Sequence, residues 1–168
     1  MLAPPGPIVE TVPSDGPCYA SPMPAPPPAD ALRQRYLLTP PDDTRPSLLV
    51  ELCAKVDATV LGEVREAMHG LGCAHGLVLD ALECEVLRDT YETTGPDSIK
   101  VDAVLETPRL LTSSSATLEG KLVRWLDALT KNWTSAVPRE PWAAPLLADV
   151  VPAAAGSVVR RTMSALAA

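Results

Sequence analysis

Two stretches of the chain carry a helical hydrophobic period. In the first, Val60, Leu61, Val64, Met68 and Leu71 recur three and four residues apart, which predicts a helix over Ala58–Leu71. Asp57 supplies its N-cap, and Gly70 and Gly72 supply its stop. In the second, Leu118, Leu122, Trp125, Leu126 and Leu129 predict a helix over Ala116–Asn132, capped by Ser115 or Thr117. Other segments read as strands. Leu48, Leu49, Val50 and Leu52 form a near-continuous apolar run, as expected of a strand over Ser47–Ala54 covered on both faces. Ala74–Asp80 has the same character. Cys84–Tyr91 sets Cys84, Val86 and Leu87 among charged neighbours, and Ile99–Leu105 alternates Ile99, Val101, Ala103 and Leu105. Asp30 can cap a short helix over Ala31–Leu38, which Pro40-Pro41 ends. Pro141 opens another, Trp142–Val150, and Pro152 a last one running to about Ala165.

A strand, a helix and a second buried strand make a crossover unit with a parallel strand pair. The two later strands then extend the sheet antiparallel. The expected fold class is α/β, with a mixed central sheet of about four strands flanked by helices. Residues 1–29 hold the runs PPGP and PMPAPPP and are expected to form a flexible Pro-rich arm. Residues 30–112 would be the α/β core, and residues 113–168 a helical C-terminal extension packed on it.

Charge changes this picture. The chain of 168 residues, enough for one domain with a real core, carries a net charge of −7. Residues 46–120 hold five bases against 13 acids, whereas residues 121–168 hold six bases against three acids. An acidic core repels a phosphate backbone, which disfavours nucleic acid as a general partner. A protein partner or a second copy of the chain is the alternative. The four cysteines form no CxxC pair, and Cys53 and Cys84 fall within strand patterns as small apolar residues. A reducing compartment follows, hence a cytoplasmic location. No basic-then-apolar leader is read at the start, and no apolar run reaches membrane-spanning length.

One constellation suggests chemistry. Pro41-Asp42 precedes a strand, and Glu51 lies on it with Lys55 beyond. With the strand, helix and hairpin that follow, this resembles the restriction-endonuclease-like, or PD-(D/E)xK, superfamily over about Ala31–Leu105. That family holds a divalent cation between two carboxylates and places a lysine two residues after the second. The resemblance implies a Mg²⁺-dependent phosphodiesterase acting on DNA, with Asp42 and Glu51 on the metal. Lys55 would position the water and Glu63 would assist. The sequence departs from the pattern at Cys53, which stands at the lysine position, and at Glu63 and Ala67, which stand where one branch has Gln and Tyr. Other readings stand beside this one. Turn chemistry accounts for Asp42 and Asp43, and Glu51 could be a strand residue paired with Lys55 or a nearby arginine. The same fold could equally serve as an inactive scaffold or a protein-interaction module.

His69, Cys73, His75 and Cys84 offer nitrogen and sulfur ligands, but their spacing fits no structural zinc pattern. Trp125 lies on an apolar stripe, and Trp133 and Trp142 are expected to pack the loop around Pro138.

Overall fold

The computed structural model describes residues 33–162. The proposed Pro-rich arm and the last residues of the proposed final helix lie outside this range. The strands are β1 (Gln34–Thr39), β2 (Leu48–Leu52), β3 (His75–Leu79), β4 (Glu83–Asp89), β5 (Ile99–Glu106) and β6 (Val158–Thr162). The helices are α1 (Ala58–Leu71), α2 (Thr107–Leu110), α3 (Leu118–Lys131) and α4 (Val151–Ala154), the last continuing a π-helical turn over Leu146–Val150. The architecture is α/β, with one mixed sheet in the order β5-β4-β3-β2-β1-β6. Among the described strands only β2 and β3 pair in parallel, joined through α1, and every other neighbouring pair is antiparallel.

Alternation along the strands divides the apolar side chains between two layers. Tyr36, Leu38, Leu48, Val50, Leu77 and Cys84 face α3 and the helical segment around Leu146. Leu37, Leu49, Cys53 and Val78 face α1, where Val60, Val64 and Met68 cover them. Both long helices begin as their sequences predict. Asp57 accepts a hydrogen bond from the Val60 amide at 2.9 Å, and Thr117 accepts one from Gly120 at 3.0 Å. Gly72, at φ 68°, closes α1 in the left-handed conformation.

Among the described residues the sheet has six strands rather than about four. In its described part, the expected helix over Ala31–Leu38 is instead strand β1, with Tyr36, Leu37 and Leu38 all buried. A central strand covered on both faces shows no alternation, so its apolar run is open to a helical reading. The expected final helix stops at Ala154. Gly156, at φ 77°, turns the chain, and the β-branched pair Val158-Val159 opens β6 alongside β1. The segment after residue 112 is therefore part of the sheet as well as its cover, and is not an appended helical extension. Trp125 is buried and donates to the Ala136 carbonyl at 3.0 Å. Trp133 and Trp142 pack partly buried, with Arg139 and Arg109 over their rings at 5.6 and 5.1 Å.

Candidate functional site

The β1–β2 ladder sets Arg35 directly opposite Glu51, on the face covered by α1. Glu51 is 0% exposed. Arg35 Nε donates to its Oε1 at 2.7 Å, and Arg33 Nε donates to its Oε2 at 2.7 Å. Arg33 also reaches α1 through an ion pair with Glu63. Two guanidinium groups thus neutralise two carboxylates inside the α1 layer, which lets these charges be buried at all. Burial pulls the Arg33 pKa down, but hydrogen bonding to Glu63 and the charges of Glu51 and Glu63 reverse this and raise it. Both Glu51 oxygens are engaged by arginine.

The other residues expected to act with Glu51 lie elsewhere. Asp42 is exposed in the β1–β2 turn, beyond Leu48. Leu48 is three residues from Glu51, about 10 Å along a strand, so the turn and the carboxylate occupy opposite ends of the hairpin. Lys55 is exposed, because β2 ends at Leu52 and the strand period that would carry Lys55 onto the Glu51 face ends with it. Cys53, in the lysine position, is buried, with its thiol pushed up to about 12 by burial first and then by the charge of Asp80. Glu51 and Glu63 are brought together, but through Arg33. Among the described residues, no three His, Cys, Asp or Glu side chains gather where they could hold a metal ion.

Asp80, at the end of β3, is a second polar centre that sequence reasoning missed. One oxygen accepts from the Val56 amide at 2.9 Å, and the other accepts from Leu82 and Glu83 at 2.7 and 2.8 Å. Burial raises its pKa, but these backbone donors, with Lys55, more than offset that and hold it below the usual carboxylate value. The group fastens the β3–β4 turn to the segment that enters α1.

A concave surface lies at the end of the sheet where β2 and β3 begin. Two open cavities of about 440 and 460 Å³ meet there, sharing Arg45, Gly72 and Tyr91 as walls. The first extends past His75 to Asp149 and Pro152, and the second past His69 to Thr93 and Gly95. The Arg45 side chain crosses Gly72, so that a Cβ there would stand 3.4 Å from Arg45 Cδ. His75 is half-buried, and its Nδ1 has no hydrogen-bond partner among the described residues. Burial lowers its pKa, against the opposing charge of Asp149, so the ring is held neutral.

Tyr91 is the singular residue of this groove. It is 73% exposed, and it is the one non-glycine described residue with positive φ, at 58°. Its amide donates to Asp89 at 2.8 Å, which fixes the turn. A left-handed conformation is unfavourable for a bulky side chain and marks a strained position. The sequence pattern carried β4 through Tyr91, whereas the strand ends at Asp89. The signal available was Asp89, a residue type that accepts from the amide two positions on in turns.

No protein-family model, curated protein or solved structure matches this chain. Among the described residues, no helix is long and apolar enough to cross a membrane.

Proposed function

We propose that the protein is a protein-interaction module without covalent chemistry of its own, and that it holds a segment of a partner in the Arg45–Tyr91 groove. The observation that carries this reading is Tyr91: a large aromatic side chain held exposed in a strained conformation, between two adjoining cavities. Strain of this kind is retained where the surrounding structure imposes it, and it clusters at binding sites. The groove is open and elongated, with a polar and apolar lining that suits an extended peptide.

The rival reading is a Mg²⁺-dependent phosphodiesterase of restriction-endonuclease-like type acting on DNA. It needs Asp42 and Glu51 on one cation, with Lys55 positioning the water and Glu63 assisting. The engagement of both Glu51 oxygens by Arg33 and Arg35 supports it least.

A phage-displayed library of random dodecapeptides, panned on the full chain, tests the proposal. Selected peptides that bind the wild type and lose binding to Tyr91→Ala are the expected result. A library that yields no Tyr91-dependent peptide would overturn it. So would Mg²⁺-dependent plasmid cleavage that Glu51→Ala abolishes.

A further inference from the structure

The charge around the groove bears on what kind of segment it takes. Three carboxylates, Asp43, Asp89 and Asp149, stand among the lining residues against one lining guanidinium, Arg45; Arg88, outside the lining, pairs with Asp149 at 4.0 Å and offsets part of its charge. Helix α1 ends at this surface, where the Gly72 and Cys73 amides cap only the His69 and Met68 carbonyls, so its negative pole is presented here. The chain as a whole carries −7, so the long-range field has the same sign as the local one. Tyr91 adds an exposed aromatic face beside these acids. A face of negative quadrupole next to carboxylates attracts a cation, guanidinium most of all.

Resting on the interaction reading above, we infer that the occupant of the groove is a basic segment of another protein. One of its arginine or lysine side chains stacks on Tyr91, and its neighbours face Asp43 and Asp149. Arg45 does not oppose this, because its side chain lies across Gly72, at the negative end of α1. Nucleic acid and acidic segments are repelled by the same field that draws a basic one.

Three capped dodecapeptides test the inference, identical except for arginine, glutamine or glutamate at alternate positions. Binding to the full chain is read by fluorescence anisotropy at low and at physiological salt. The arginine peptide is expected to bind most tightly and to weaken with salt, and the glutamate peptide is expected not to bind. Tyr91→Ala is expected to weaken the arginine peptide about two- to thirty-fold, the range of a cation–π contact. Asp149→Asn is expected to weaken it too, whereas Glu106→Gln, the same charge change at an exposed position on β5, is expected to leave it unchanged. Tyr91-dependent binding of the glutamine or glutamate peptide as tight as that of the arginine peptide would overturn the inference and leave the interaction reading standing. Equal losses in Asp149→Asn and Glu106→Gln would show attraction to net charge alone and also overturn it. If no peptide binds in a Tyr91-dependent way, here or from the library, both fail together.

Discussion

Arg35 and Glu51 face each other across the β1–β2 ladder, joined at 2.7 Å with the carboxylate wholly buried. This pairing turns the residue best suited to hold a metal into part of the core. Replacing Glu51 by Ala leaves Arg35 buried without its carboxylate and Arg33 with Glu63 alone, and should cost about 3–5 kcal/mol of stability. Urea denaturation measures it. A loss below about 1 kcal/mol, the level of an exposed pair, would show that the network is not structural.

Asp80 gives the fold an acid-sensitive fastening. A carboxyl whose pKa is lower in the folded than in the unfolded chain adds stability above the unfolded pKa, and that stability is lost as pH falls through the folded one. Asp80 is such a group. Asp80→Asn should therefore flatten the acid limb of a stability-against-pH curve. Asp80→Ala, which leaves the Val56, Leu82 and Glu83 amides without their acceptor, should cost roughly 1–3 kcal/mol at neutral pH.

Tyr91 separates stability from binding. Glycine adopts positive φ without penalty and alanine does not, so Tyr91→Gly should be more stable than Tyr91→Ala by about 1 kcal/mol. Both variants should lose peptide binding. Equal stabilities, measured side by side in urea, would show that the left-handed turn carries no strain.

Gly76 on β3 faces the buried end of the Met68 side chain. A Cβ there would stand 2.7 Å from Met68 Sδ and 3.5 Å from the Leu49 carbonyl oxygen. Gly76→Ala should cost about 1–3 kcal/mol by overpacking. Combined with Met68→Ala, it should cost less than the sum of the two single changes, because the added methyl enters space the methionine leaves. A strictly additive double-mutant cycle would rule this out.

The described cysteines should be silent while the chain is folded. Burial, the largest cause at each, pushes the thiols of Cys53, Cys73 and Cys84 to about 12, 11 and 12. In a Cys18→Ser background, iodoacetamide at pH 8 should label the protein only as fast as it unfolds. Rapid labelling under native conditions would contradict this burial.

The parts of the fold legible in the sequence were those with a local signal. Helices α1 and α3 declared themselves through apolar spacing and through caps whose side chains accept the expected hydrogen bonds. Strands β2 to β5 did so through apolar runs or alternation between recognisable turns. Strands β1 and β6 did not. The apolar run of β1 reports burial on both faces, which is a tertiary fact. The approach to β6, rich in alanine and preceded by Pro152, hid the stop at Gly156. The candidate site was less legible still. Glu51 stood out as an acid in an apolar strand, but its partner Arg35 was assigned to a helix, where it could not have faced β2. Arg45, His75 and Tyr91 lie in three separate loops and strand ends, and only the folded sheet brings them to one groove.

The pairing of β6 with β1 has a further consequence, in the order in which the chain is made. Arg161 on β6 reaches Gln34 on β1 across 127 positions of sequence. While a ribosome is still making the intervening residues, β1 keeps one row of N–H and C=O groups without partners, an edge that invites other strands. The sheet is finished only when Val158–Thr162 emerges, so the last step of folding waits for this strand and closes the loop that spans the described residues. A nascent chain halted at Gly156 should be cut readily by protease where the complete domain resists.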